Sequence, residues 1–313
     1  MIARDLTRGG KLARNVVGLF PTADELVNPD TSGARRQHLF SRTDSIPELV
    51  ARHNIQEIIV AVREQRGGSV PIEQLLTCRL SGVPVIDLAG FFERTRCEVP
   101  IDSLKASWLV YGNGFIQGKA RTLVKRLFDI VSSSVLLVLL SPVMLITLIA
   151  VGLDSRGPIL YRQTRVGLGG RHFTCLKFRS MQTDAELDGV ARWAVRDDPR
   201  VTRIGAFLRK TRIDELPQLV SVLKGEMSLV GPRPERPSFV TDLKDQIPFY
   251  DIRHSVKPGV TGWAQVRYHY GATLEHARRK HQFDLYYVKN NSLLLDLLIL
   301  IETVSVVIFR EGQ

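Results

Sequence analysis

The sequence predicts an α/β chain in two parts. A partial Rossmann-like domain occupies residues 1–117, and a mixed, mainly helical, membrane-associated domain occupies residues 118–313. Three observations lead there. The first third alternates short apolar runs with helical spacing. A charge-free run of 24 residues, Ile130 to Leu153, follows it. The positive charge is concentrated in the second part: residues 1–117 carry 14 basic and 13 acidic side chains, whereas 118–313 carry 29 and 19. With 44% hydrophobic and 24% charged residues, the 313-residue chain is neither disordered nor of low complexity. A net charge of +11 directs it to anionic partners: nucleic acid, acidic membrane or phosphorylated substrates.

In order along the chain, Asn15 to Phe20 reads as a strand and Ile46 to His53 as a short helix. A strand is expected at Glu57–Val62, a proline-started helix at Pro71–Leu80 and a strand at Val83–Leu88. Apolar strands separated by helices indicate parallel pairing. No G-x-G-x-x-G follows a strand; Gly112-Asn113-Gly114 is only a two-glycine turn, so a fold without a dinucleotide site is expected. Residues 1–14 look ragged and basic, as though the start of this domain were missing. The sequence does not fix the oligomeric state; the incomplete sheet leaves a homo-oligomer open. The three cysteines, Cys78, Cys97 and Cys175, are widely spaced and form no C-x-x-C, which argues for free thiols in a reducing compartment. The first ten residues lack the apolar core of a secretory signal.

The run from Ile130 to Leu153 is long enough for about 30 Å of hydrocarbon. Ser141-Pro142 sits in its middle, where proline removes a helix hydrogen bond. Lys119, Arg121, Lys125 and Arg126 precede it; Arg156, Arg162 and Arg165 follow. Two basic flanks favour the same cytoplasmic side, so a re-entrant helix that bends at the proline is expected in preference to a span. Residues 155–215 then hold 13 basic and 7 acidic residues, mostly arginine, which suits bidentate phosphate contacts and also an anionic lipid surface. Nucleic acid is not expected, because no known binding pattern is present and the basic stretch abuts the membrane run. Leu293 to Ile308 is apolar but interrupted by Asp296 and Glu302; an interfacial helix and a buried core helix both fit.

The chemistry-bearing residues come in segments. Asp214 and Glu215 stand adjacent, with Arg209, Lys210 and Arg212 just before them. Adjacent carboxylates repel, so cations or a metal help keep both ionised. Arg233 lies fixed between Pro232 and Pro234, pre-organised for a ligand. Lys177 and Arg179 project to one side if Leu176–Met181 is extended. Lys257 to Gln265 reads Lys-Pro-Gly-Val-Thr-Gly-Trp-Ala-Gln. His172, His254, His269, His276 and His281 show no zinc-like spacing and are expected in surface or core roles.

These segments resemble the bacterial sugar transferase family, the monotopic polyprenyl-phosphate phosphoglycosyl transferases. The resemblance runs from about Ala120 to Ile308. It rests on Lys-Arg-Leu-Phe-Asp129 entering the Ser-Pro-containing helix, Lys-Phe-Arg-Ser-Met (177–181), Asp-Glu-Leu-Pro-Gln (214–218), Ser-Leu-Val-Gly-Pro-Arg-Pro (228–234) and Pro-Gly-Val-Thr-Gly-Trp-Ala-Gln (258–265). Glu226 departs mildly from the aspartate of many relatives. Val266 to Gly271 and the sheet-like first part resemble the exopolysaccharide subgroup, whose members usually begin with several membrane helices and a complete Rossmann-like domain. The resemblance implies that Asp214 attacks the β-phosphorus of a UDP-sugar and expels UMP, and that undecaprenyl phosphate takes the sugar phosphate from a covalent aspartyl intermediate. It implies Glu215 as partner, Mg²⁺ held by Asp214 and Glu215, and Lys177, Arg179, Arg209 and Arg233 as phosphate-binding cations. The expected location is the cytoplasmic face of the bacterial inner membrane, in contact with its lipids. Two other readings stay open: a non-catalytic membrane-bound regulator that binds nucleotide-sugars, and a direct glycosyltransferase that releases UDP.

Overall fold

A computed structural model describes residues 15–21, 38–61, 70–104, 118–183, 198–268 and 273–309, with isolated positions at 109, 114–115, 185 and 271. The expectations for residues 1–14, Val62, Gly112-Asn113 and His269 lie outside them. The chain divides into two compact units, Met1–Lys105 and Ala106–Gln313.

In the first unit, β1 (Gly18–Leu19) pairs in parallel with β2 (His38–Leu39), and β3 (Ile58–Val60) with β4 (Val85–Asp87). The parallel pairing agrees with the apolar runs. Among the described residues the two pairs remain separate sheets. Helix α1 (Ile46–His53) matches its predicted bounds; Pro47 in its first turn supplies a helical φ without a lost hydrogen bond, and Asn54 ends it in the left-handed conformation. Helix α2 (Ile72–Leu80) starts after Pro71. The run read as a strand through Leu88 stops at Asp87, whose carboxylate accepts from Gly90 N at 2.8 Å and starts α3 (Leu88–Arg96). Leu49, Cys78, Phe91 and Val99 are buried in this unit.

The second unit is built on α4 (Lys119–Asp154), a continuous helix of 36 residues, about 54 Å at 1.5 Å per residue. Only 11% of its most apolar stretch is buried, and Val131, Val135, Val138, Leu145, Ile146 and Ile149 are exposed. A core helix would bury such a surface, so α4 is a membrane helix. Pro142 cannot donate to the Val138 carbonyl four residues back. Ser141 Oγ does so instead, at 2.8 Å, and the helix continues through the proline.

The basic flanks are only partly available to lipid. Lys119, Arg156 and Arg162 are exposed. Arg126 instead donates to the carbonyls of Val222 and Leu223, at 2.5 and 2.6 Å, and so closes the C-terminus of α6 (Gln218–Lys224). Lys125 and Arg165 are likewise bonded within the protein.

After α4, an antiparallel hairpin pairs β5 (Leu160–Val166) with β6 (His172–Phe178). Helix α5 (Arg203–Lys210) is capped by Thr202, whose hydroxyl accepts from Gly205 N at 3.0 Å. A Cβ at Gly205 would stand 2.0 Å from the Ser180 carbonyl oxygen, so only glycine lets α5 cross this closely. Val151, Phe178 and Leu208 form a buried cluster against which Met144, Ile159, Ile204 and Ile213 pack. That cluster joins the end of the membrane helix to the residue preceding Asp214.

The remaining elements are β7 (Ser228–Val230), α7 (Pro237–Gln246), β8 (Gly259–Thr261), α8 (Trp263–Arg267), α9 (Leu274–Asn290) and α10 (Leu293–Phe309). Strands β7 and β8 are parallel, and a Cβ at Gly231 would meet the Lys257 carbonyl at 2.3 Å. This close approach explains the glycines of both segments. Helix α10 combines the two expectations for it. Asp296 is buried at 1% exposure, while Leu294, Leu297, Ile301 and Val304 are exposed.

Candidate active site

Asp214 and Glu215 occupy one turn of 3₁₀ helix, Ile213–Glu215, entered through Arg212 in the left-handed conformation at φ 55°. An arginine there is strained, and its placement turns the chain back beneath β6. Both carboxylates are buried, at 7% and 6% exposure. They are treated differently by their neighbours. Glu215 Oε1 accepts from Lys177 Nζ at 2.7 Å and from Arg233 Nη2 at 2.6 Å, and Oε2 from Arg233 Nη1 at 3.4 Å. Among the described residues no ion pair or side-chain hydrogen bond holds the Asp214 carboxylate.

The protonation of the pair follows. Burial would raise the Glu215 pKa, but the charges of Arg233 and Lys177, the Arg233 hydrogen bond and Arg212 outweigh it and hold Glu215 well below the carboxylate range. Asp214 is pushed up to about 6, first by burial and then by the Glu215 charge, against the pull of Lys177, Arg233 and Arg209. The site therefore contains one carboxylate locked by cations and one left open, basic and still ionised at neutral pH.

Both face a cleft of about 830 Å³. Its lining includes ten basic side chains and four acidic ones, a balance suited to a polyanionic ligand. Lys177 enters from β6, Arg209 from the end of α5 and Arg233 from the loop after β7.

The match to known proteins is decided over this same region. The family model described as bacterial sugar transferase fits residues 120–310. The chain belongs to the bacterial sugar transferase family. It is 43% identical over 238 residues to the UDP-N-acetylgalactosamine-undecaprenyl-phosphate N-acetylgalactosaminephosphotransferase of Aeromonas hydrophila, covering 76% of this chain and 55% of that protein. It is 45% identical over 296 residues to the undecaprenyl-phosphate glucose phosphotransferase of Komagataeibacter xylinus, covering 93% and 52%. It is also 35% identical over 316 residues to the UDP-glucose:undecaprenyl-phosphate glucose-1-phosphate transferase of Xanthomonas campestris pv. campestris, covering 96% and 63%. The chain spans roughly half to two-thirds of the length of these relatives.

In this bacterial sugar transferase the structure brings together Asp214, Glu215, Lys177, Arg209 and Arg233. Arg179 stands apart in its bonding. It lines the same cleft, but its guanidinium donates to the carbonyls of Pro158 and Ser155 at 2.7 and 2.5 Å and to Ser155 Oγ at 2.9 Å. Ser155 follows the last turn of α4, so Arg179 caps the membrane helix rather than offering a free fork to phosphate. The reason is local: Arg179 lies one residue beyond β6, where the chain leaves the hairpin.

Sequence reasoning placed Arg212 among the cations before the acid pair but not among the phosphate-binding residues, and it gave no role to Arg253 or Asp284. Arg212 lines the cleft beside both carboxylates, and burial lowers its pKa. Arg253 Nη2 donates to the Arg233 carbonyl at 2.8 Å and pairs with Asp284 Oδ2 at 2.8 Å, fixing the backbone that carries Arg233. Arg212 was detectable as the third basic residue before the acid pair. Arg253 and Asp284 carried no signal, because their partners are distant in sequence.

Of the two carboxylates Asp214 is the one open to a divalent cation, whereas Glu215 would have to exchange Lys177 or Arg233 to join it. Magnesium binds through one or two carboxylates, with phosphates and water completing its shell. The open Asp214 carboxylate fits that requirement.

Proposed function

We propose that this chain transfers a sugar-1-phosphate from a UDP-sugar to undecaprenyl phosphate, releasing UMP, as the first step in building an exopolysaccharide. The observation that carries this reading is the asymmetry of the acid pair: an open, ionised Asp214 beside a cation-locked Glu215, in a cationic cleft packed on the end of a membrane helix. The relatives' names add the donor and acceptor classes.

Asp214 is the nucleophile. Its Oδ attacks the β-phosphorus of the donor, and the bond from that phosphorus to the bridging oxygen breaks, so UMP leaves with the electron pair. The sugar phosphate remains on Asp214 as an acyl phosphate. A phosphate oxygen of the lipid then attacks the same phosphorus and returns Asp214 as a carboxylate. Lys177, Arg209 and Arg233 offset charge on the transferring phosphoryl group. Glu215 holds Lys177 and Arg233 in place for that task. Mg²⁺ held by Asp214 and Glu215 would neutralise diphosphate charge when bound.

The direct test is incubation with a panel of UDP-sugars, undecaprenyl phosphate and Mg²⁺, followed by identification of the released nucleotide. UMP with a lipid-diphosphate-sugar product is expected. UDP in its place would mean direct glycosyl transfer, and no nucleotide release would favour the binding-only regulator.

Arg233→Lys keeps a charge but removes the planar fork that reaches both Glu215 oxygens. Lost charge-assisted hydrogen bonds of about 1.5–3 kcal/mol predict a drop in kcat/KM on the order of ten- to a hundredfold. Unchanged kinetics would place Arg233 outside the phosphate site.

The re-entrant topology belongs to the same proposal. Donor sugars are cytosolic and the acceptor phosphate lies at the membrane surface, so both ends of α4 belong on the cytoplasmic face of the inner membrane, an arrangement that requires the helix to bend at Ser141-Pro142 in lipid. The Ser141 hydroxyl on the Val138 carbonyl is the local device that lets backbone polarity freed by Pro142 persist in lipid. In a chain without native cysteines, Ala120→Cys and Leu160→Cys should both resist a membrane-impermeant reagent applied outside intact cells. Labelling of only one of them would sink this topology.

A further inference from the structure

Three side chains from three helices meet just ahead of the loop that carries Arg233. Lys125 Nζ of α4 lies 2.6 Å from Asp296 Oδ2 of α10 and 3.2 Å from the Val230 carbonyl oxygen. The Tyr287 hydroxyl of α9 lies 2.7 Å from Asp296 Oδ1 and 3.0 Å from the same carbonyl. Asp129 Oδ1 of α4 accepts from Ser228 Oγ and Leu229 N, both at 3.1 Å. All of β7 is thus tied to the membrane helix. Val230 is the last residue of β7, and Gly231, Pro232 and Arg233 follow directly.

These groups are costly to bury. Asp296, Tyr287 and Asp129 are 1–2% exposed. A buried ion pair adds little net stability over apolar packing of the same shape, so its value lies in fixing a geometry. The geometry fixed here is specific. Tyr287 has one proton and two acceptors within reach, whereas Lys125 has three protons and serves both Asp296 and Val230. The two donors together hold the carbonyl and both carboxylate oxygens, and loss of the Tyr287 hydroxyl leaves Asp296 Oδ1 without its donor and Lys125 alone on the carbonyl. With Arg253 on the Arg233 carbonyl at 2.8 Å and Arg165 on the Pro234 carbonyl at 3.0 Å, the loop is gripped on both sides.

We propose that Tyr287 and Asp296, acting with Lys125, are positioning residues that set Arg233 against Glu215 by pinning the Val230 carbonyl to the membrane helix. None of the three reaches the cleft, so they act through Arg233. The proposal rests on the reading of Arg233 as a phosphate-contacting group. It also makes the catalytic loop answer to the seating of α4, since Lys125 and Asp129 belong to that helix.

The test is a double-mutant cycle on the full chain in lipid nanodiscs, using Tyr287→Phe and Arg233→Lys. Tyr287→Phe alone should lower kcat about tenfold with little change in donor KM, because a transition-state contact is displaced. In the Arg233→Lys background the same change should cost less than about twofold, since the group being positioned is already lost. A tenfold loss in both backgrounds, or no loss in the first, overturns the proposal. If Tyr287→Phe does not fold, Asp296→Asn takes its place under the same criteria. If the unmodified chain releases no UMP, the transferase reading fails, and the cycle is read from pyrophosphate affinity by calorimetry. Non-additive loss there sustains the positioning role, and additive loss overturns it.

Discussion

Asp214→Asn should lower turnover by about four orders of magnitude or more, the scale seen when a nucleophile is removed, and should leave the fold intact or firmer. No donor holds the Asp214 carboxylate among the described residues, so an amide there strands no partner. The stability sign follows from the pKa. The folded value of about 6 lies above the reference 3.8, so the native state binds this proton more tightly than the unfolded chain does. The ionised form therefore opposes folding, increasingly as pH rises from near 4 to 6 and fully above 6. A neutral side chain removes that opposition. Thermal unfolding at pH 7 should show an equal or higher midpoint for the variant, alongside absent UMP release. Mass spectrometry of acid-quenched wild type should find the sugar-phosphate adduct, and the variant should lack it. Near-normal turnover in the variant would end the covalent mechanism.

A residue that weakens the fold while serving the reaction is a common sign of a functional site. Here the cause is visible. Glu215 takes the bonds of Lys177 and Arg233, and among the described residues Asp214 is left to face its charge without a bonded counter-ion. The same partition is why the sequence showed an acid pair but not which acid is open. The assignment depends on Lys177 and Arg233, 38 and 18 residues from Glu215, both reaching the second carboxylate.

Local signals were the legible ones. The helix expected at Ile46–His53 matches α1 to the residue, and the charge-free run located the membrane helix. The strand expected over Val83–Leu88 is confined to Val85–Asp87, because the Asp87 carboxylate caps the helix that follows. Long-range polar bonds were invisible. Asp296 read as an interruption of an apolar helix, yet it is buried against Lys125, 171 residues earlier. The resemblance implies Arg179 as a phosphate ligand, but its guanidinium is bonded to the Ser155 hydroxyl and to backbone carbonyls between residues 151 and 158. A carbonyl has no side-chain identity, so no pattern of residue types could reveal that bond.

Glu215→Gln should also be severely impaired, though less than the variant that lacks the nucleophile, and its signature should appear in the pH profile. In the wild type, kcat/KM should fall as pH drops below about 6, because the attacking group must be ionised. Removing the Glu215 charge deletes a contributor that raises Asp214 and frees Lys177 and Arg233 to pair with it. The acid limb should therefore move below 6. The plateau should also fall, by about a hundredfold, for two reasons. A carboxylate paired with two cations is a weaker nucleophile, and those cations no longer stand where the transferring phosphoryl group needs them. A role for Glu215 as a proton donor, neutral in the resting enzyme, predicts a different result: a lower plateau with the acid limb still near 6. The pH dependence of UMP release in the variant decides between them, and an unmoved limb would refute the charge partition that makes Asp214 the open carboxylate.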